Sequence, residues 1–286
     1  MVIEKEKFKD LKVERPKYVE RFDQRAFKSK CQSDLIKGIV EIVKNGVDAY
    51  INEKGDATCK QEEIKIGLEN MNTKNPIVKI VNFAKGMNFI KFETALGVGA
   101  DTSSDKESVT GAHGYGMKEA ALAFKQAKIV TINENKYSTR IFFWDEKDTP
   151  KYAWDVEEGK EVKDIPINEK IRKETGIKAE GTFFEAIVPD DISFPRIENL
   201  RTQLTDNVLL RTINQSDKFK ISIEYNDTKS GELIFTQIKY ASPDPVVLRE
   251  DRIALEINNF SFEYPKYGII NCNYEIYLAN RELHPT

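Results

Sequence analysis

Glu41-Ile-Val-Lys-Asn45-Gly-Val-Asp48-Ala49 is the stretch on which the reading of this chain turns. It lies in the strongest helical pattern of the sequence, residues 33–53, where Ile36, Val40, Val43 and Val47 recur at i, i+4, i+7 and i+11 as one apolar stripe. Ser33 followed by Asp34 can cap its start. Glu41, Asn45 and Asp48 stand at i, i+4 and i+7, so they share a second, polar stripe beside the apolar one. One edge of such a helix packs in a core, and the next presents carboxylates and a carboxamide. An amide oxygen can take one position on a hard octahedral cation such as Mg²⁺. A carboxylate one turn away can orient a water for attack on a terminal phosphate. Taken alone, the same pattern describes an ordinary solvated helix face.

Working outward, strand-like runs at Ile64–Leu68 and Ile77–Phe83 lead into Val81-Asn82-Phe83-Ala84-Lys85-Gly86-Met87, a strand entering a turn. Gly86 gives that turn a residue without a side chain. A short helix is expected over Asn88–Leu96, followed by 97–117, a long run rich in Gly, Ser, Thr and Asp. It ends in Gly111-Ala-His113-Gly114-Tyr115-Gly116-Met117-Lys118, with a helix restarting near Gly116. Free backbone N–H groups at a glycine-rich helix start, with a lysine alongside, suit an anion. The spacing matches neither the GxxxxGK[ST] loop nor GxGxxG. Strands follow at Lys128–Asn133, Thr139–Trp144 and Thr182–Val188, the last opened by Gly181-Thr182. The Lys/Glu-rich stretch 145–180 reads as a solvated insertion, and Trp144 and Trp154 as strand packing.

Asp190–Pro195 reads as a domain junction, followed by one helix over Ile197–Ile213 and strands at Lys218–Tyr225, Leu233–Tyr240, Ile253–Glu263 and Tyr274–Leu278. The expected organisation is an arm at 1–30, a first domain at 31–190 and a second at 191–286. Helices and strands mix without regular βαβ alternation, which gives an α+β class. Composition sets the bounds. With 286 residues, 40% hydrophobic and 32% charged, the chain can bury a real core. A net charge of −3 gives no basic footprint for nucleic acid. No apolar run reaches the ~18–20 residues that span a bilayer, so no membrane role is expected. Cys31, Cys59 and Cys272 form neither a disulfide framework nor a zinc pattern, which points to a reducing cytoplasm. His113 and His284 are too few for a histidine metal site or a Ser-His-Asp triad.

In order and separation, the four pieces resemble the boxes of the GHKL (Bergerat-fold) ATPase superfamily over about residues 25–190. That superfamily holds type II topoisomerase ATPase domains, ninety-kilodalton heat-shock chaperones, histidine kinases and mismatch-repair ATPases of the MutL type. ExxxNxxDA is matched by Glu41, Asn45, Asp48 and Ala49, DxAxGM by Asn82, Ala84, Gly86 and Met87, and the glycine box by Gly111, Gly114, Gly116 and Lys118. The resemblance implies a sandwich of helices on a mixed sheet that binds ATP and Mg²⁺. Glu41 would activate water, and Asn45 would hold Mg²⁺. Residues 97–115 would form a lid over the nucleotide, and the backbone of Gly114–Lys118 (with His113 and Tyr115 before it and Met117 within it) would hold phosphates. Thr182 would help bind adenine. Asn82 departs from the pattern, because the superfamily has an aspartate there that accepts from the adenine amino group.

Downstream, Leu200–Ile213, FKISIEYND and YGIINCNYEIYLANREL loosely resemble the second domain of microrchidia-type ATPases, which implies a partial transducer-like domain. Lys239 is a faint match for the lysine that reaches the γ-phosphate in two-domain members. The implied behaviour is an ATP-gated homodimeric clamp that cycles between ATP and ADP and acts on DNA or a protein client through regions outside this chain. The alternative is a module that holds nucleotide without turnover. The histidine-kinase branch fits poorly, since residues 1–32 carry no phosphoacceptor histidine.

Overall fold

The computed structural model describes residues 28, 29, 31, 32, 34–71, 73–96, 116–226 and 233–240, and the backbone of 253–264 and 268–277. Two compact units result, Met1–Tyr240 and Ala241–Thr286.

The first unit is organised around helix α1 (Leu35–Lys54). Asp34 caps it by accepting from Lys37 N at 2.9 Å, and Gly55 closes it at φ 82° with its N–H on Ile51 O. Val40, Val43 and Val47 are buried as expected, and Ile36 packs at the edge of the same core. A 3₁₀ turn (Asp56–Thr58) leads to β1 (Glu62–Glu69) and β2 (Ile77–Asn82), then α2 (Phe89–Ala95) and α3 (Gly116–Leu122). Next come β3 (Gln126–Asn133), β4 (Lys136–Trp144), β5 (Pro150–Trp154), β6 (Val156–Glu157), β7 (Lys160–Glu161), β8 (Ile165–Pro166), α4 (Glu169–Thr175) and β9 (Gly181–Ile187). Helices α5 (Ile197–Asp206) and α6 (Val208–Gln215) precede β10 (Phe219–Asn226) and β11 (Leu233–Ile238).

These strands form one mixed sheet, ordered β11-β10-β1-β2-β9-β3-β4-β5, with β8 beside β4. The β1–β10 pair is parallel, and the other pairs are antiparallel. Alternation on the strands selects the faces. Ile64, Ile66, Ala127, Ile129 and Phe184 face the helices, while Val130, Ile132 and Phe183 face the opposite side. The opposite side is covered by Val162, Ile171 and Ile177.

That covering corrects the reading of 145–180 as a solvated insertion. The stretch is rich in charge, but its spaced apolar residues close the back of the sheet, and Trp154 is buried. Its ring meets Phe92 of α2 edge-on at 6.0 Å and carries the Arg140 guanidinium 3.7 Å above it. Arg140 in turn reaches Glu93 of α2 at 3.4 Å, so this region fixes α2 in place.

The single helix expected over Ile197–Ile213 is two. Asn207 adopts φ −60°, ψ 123°, and its side chain accepts from Leu209 N at 3.0 Å, a local bond that competes with helix continuation. Residues 191–240 belong to the first unit, because β10 runs along β1 from Glu62↔Phe219 to Leu68↔Tyr225. The second unit pairs β12 (Ile253–Tyr264) with β13 (Gly268–Tyr277), antiparallel, and β13 starts six residues before the expected Tyr274.

Candidate functional site

Close contacts seat α1 on α3 and on the sheet, beside a cavity between α1, α2 and the sheet. At Gly38, an added Cβ would meet Ala123 Cβ at 3.2 Å, so a small residue lets α1 come down on the end of α3. That approach sets Glu41 beside the start of α3: a Cβ on Gly116 would stand 3.1 Å from Glu41 Oε2. The same carboxylate lies 3.6 Å from Lys44 Nζ. Further along α1, the Tyr50 hydroxyl accepts from Phe83 N and donates to Glu63 O, both at 2.8 Å. This ties the helix to β1 and to the end of β2. Burial pushes the Tyr50 hydroxyl up to about 12.

The turn after β2 is seated on the sheet. Met87 N donates to Thr131 Oγ1 at 2.6 Å, and Asn133 Nδ2 donates to Gly86 O at 3.0 Å. Gly86 is pressed so closely to β3 that a Cβ would fall 2.0 Å from Ile132 O. Opposite it, a Cβ on Gly181 would lie 2.5 Å from Asn82 O. Both glycines are therefore required by contact with neighbouring backbone.

The resulting cavity has a volume of about 590 Å³, a common size for a small-molecule site. On α1 it is lined by Asn45, Asp48 and Ala49, and on the turn by Gly86 and Met87. Asn82, Thr182 and Met117 also line it. Asn82 and Thr182 are register partners across β2 and β9, and Thr182 pairs onward with Thr131 of β3, which makes a polar rung across the floor. Ala84 is buried behind the turn, where its N–H donates to Asn82 Oδ1 at 3.3 Å.

Among the described residues, the Asn45 side-chain nitrogen is buried without a hydrogen-bond partner. A buried unpaired amide costs about 1–3 kcal/mol, a cost that a group bound in the cavity would offset. The two ends of an amide can exchange by rotation, which lets its oxygen serve a cation.

Glu41, Gly116 and Lys118 adjoin the cavity at the α1–α3 contact and are not among its lining residues. Lys118 is 4% exposed, and burial pushes its ammonium pKa down. Gly111, His113, Gly114 and Tyr115, the expected lid over 97–115 and the arm up to residue 27 lie outside the described residues. Lys239 pairs with Asp217 at 3.2 Å on the surface.

The sequence reading missed several walls. Asn52 and Glu53 continue the polar stripe of α1 about two turns past Asn45, a spacing that could have found them. Ile90, Lys91 and Thr94 form the α2 wall, and Ile90 is 61% exposed. Glu53 also accepts from Lys85 N at 2.6 Å and so braces the turn. Among the described residues no group of three or more His, Cys, Asp or Glu is placed to hold a metal, and no helix is long and apolar enough to cross a membrane.

A comparison with curated proteins gave no match. The family model described as histidine kinase-, DNA gyrase B-, and HSP90-like ATPase matches residues 33–175, half of the chain. That span contains α1, the Gly86 turn, the start of α3 and strands β1 to β8. With the mixed sheet and its helical layer, it shows the expected superfamily and its ATP-binding fold: the chain belongs to the histidine kinase-, DNA gyrase B- and HSP90-like ATPase family.

Proposed function

We propose that this chain binds ATP with Mg²⁺ in the cavity between α1, α2 and the sheet, and hydrolyses it to ADP and phosphate. The carrying observation is the placement of Glu41 and Asn45. One carboxylate sits against the start of α3, and one turn on, a carboxamide with an unpaired buried nitrogen faces the cavity.

Asn45 would hold Mg²⁺, which supplies charge neutralisation on the phosphate oxygens. Asn82 and Thr182, at the sheet end, would take the base. Glu41 would accept the proton of the attacking water as the new oxygen–phosphorus bond forms and the bond to the bridging oxygen breaks. Lys44 Nζ lies 3.6 Å from the Glu41 carboxylate, beside the place of the attacking water. Lys118, buried in the first turn of α3, would add positive charge for the phosphates. The test is phosphate release by the parent and by Glu41→Gln at saturating Mg-ATP.

A second reading, nucleotide binding without turnover, is favoured by Asn82 alone. It is separated from the first by binding without phosphate release in the parent.

The clamp is the wider proposal. ATP would order the 97–115 lid and the N-terminal arm, and two copies would close around a DNA or protein client, in the manner of microrchidia-like or chaperone-like ATPases. The transducer-like role is proposed for 191–286. Residues 191–240 join the first unit's sheet, and 241–286 form the second unit. Free buried Cys31 and Cys59 support a cytoplasmic setting. Cross-linking with and without a non-hydrolysable ATP analogue tests dimerisation, and an unchanged oligomeric state would remove the clamp.

A further inference from the structure

We propose that Asn82 turns the base end of the cavity towards 6-oxopurines, so that inosine and guanosine nucleotides bind in preference to adenine nucleotides. The inference deepens the nucleotide reading of this cavity and rests on it.

Ala84 N–H can only donate, and it points at the Asn82 side chain, 3.3 Å from Oδ1. The opposite rotamer of the amide would set NH₂ against N–H, two donors facing each other. The Ala84 N–H therefore favours the orientation with Oδ1 towards it. Ala84 is fully buried, so water cannot take the place of this bond.

With Oδ1 engaged, the free end of Asn82 is Nδ2, a donor. It lies over α1, 3.4 Å from where a Cβ on Gly46 would be, in a residue that lines the cavity. No described residue accepts from it. A carboxylate at this position would behave differently: one oxygen would take Ala84 N–H, and the other would remain an acceptor for an exocyclic amino group. Asparagine reverses the polarity of that second position.

With the C6 edge of a purine seated against Asn82, as the nucleotide reading has it, the two purine classes differ at that atom. Adenine carries an amino group at C6, a donor that would face the Nδ2 donor. Inosine and guanine carry a carbonyl at C6, an acceptor that pairs with it. Thr182, the cross-strand partner of Asn82, has a hydroxyl that both donates and accepts, so it tolerates either state of ring N1. Asp48 also lines the cavity, but it already has a partner within the chain. The base preference accordingly falls on Asn82.

Exchanging a formed hydrogen bond for a donor facing a donor changes affinity by roughly tenfold or more. The test is calorimetric titration of the full chain with inosine diphosphate and with adenosine diphosphate, each with Mg²⁺, so that turnover does not intervene. The parent is expected to bind the inosine nucleotide about tenfold tighter, and Asn82→Asp is expected to reverse the order. If Asn82→Asp binds neither, the parent's preference for inosine still supports the proposal. A parent that binds adenosine diphosphate as tightly as inosine diphosphate, or tighter, overturns the base preference and leaves the nucleotide site standing. A parent and an Asn82→Asp variant that both bind neither nucleotide overturn the nucleotide reading and this inference with it.

Discussion

Replacing Gly86 by alanine loads a single methyl group onto the contact that holds the cavity's turn against the sheet. The new Cβ would start 2.0 Å from Ile132 O, 2.7 Å from Ile132 C and 2.8 Å from Gly181 O. All three are backbone atoms of adjacent strands and cannot rotate away. Non-bonded atoms settle at about 3.5–4.0 Å, so the turn has to retreat by more than about 1 Å. Retreat weakens two bonds, Met87 N to Thr131 Oγ1 and Asn133 Nδ2 to Gly86 O. Each contributes about 1 kcal/mol, and overpacking against backbone adds about 1–3 kcal/mol. The expected loss is about 3–5 kcal/mol, which for a unit of this size lowers the melting temperature by about 10 °C. The same retreat carries Met87 out of the cavity wall, so nucleotide affinity falls with stability. Thermal melting by circular dichroism and titration with adenosine diphosphate read both effects. A Gly86→Ala protein that melts within about 2 °C of the parent and binds nucleotide equally would refute the close seating of the turn.

Asn45→Leu should separate stability from binding. It removes a buried nitrogen that has no partner among the described residues, so the nucleotide-free protein should melt no lower than the parent, while its stabilisation by Mg²⁺ plus nucleotide is lost. A variant that keeps the full Mg²⁺-dependent shift would remove Asn45 from the cation site. Tyr50 gives a pH signature. Its folded-state pKa is raised from 10.0 to about 12, so its contribution is fully present below pH 10 and is lost as pH rises from 10 to 12. Tyr50→Phe should cost about 1–3 kcal/mol near neutrality, because Phe83 N–H and Glu63 C=O lose their partner. It should also flatten part of the alkaline decline seen in urea melts. Identical parent and variant stability at pH 8 would contradict that role.

The part of the site carried by local periodicity was legible in the sequence. The polar and apolar stripes of α1 follow from spacing alone, and Asn45, Asp48 and Ala49 do line the cavity while Val40, Val43 and Val47 enter the core. The Gly86 turn and Thr182 were legible as motif positions, and the structure brings both to that cavity. Other features depend on partners distant in sequence. Thr131 seats Met87 from 44 residues away, and nothing in the stretch around Thr131 marks it. Val162, Ile171 and Ile177 are spread among lysines and glutamates, so the composition of 145–180 conceals a second apolar layer. The break at Asn207 turns on one side-chain hydrogen bond inside a helical pattern. The pairing of β10 with β1, which carries 191–240 into the first unit, joins strands some 150 residues apart, and no local signal encodes that register.

The central claim is that Glu41 is the base of an ATP-hydrolysing site, and its most direct test measures binding and phosphate release together. Parent and Glu41→Gln are titrated with Mg-ATP by calorimetry, and phosphate release is followed in the same preparations at saturation. Both are expected to bind equally, the parent to release phosphate, and the variant to be slower by about 10²–10⁴-fold. A variant that releases phosphate as fast as the parent, or a parent that binds ATP and releases none, would contradict it.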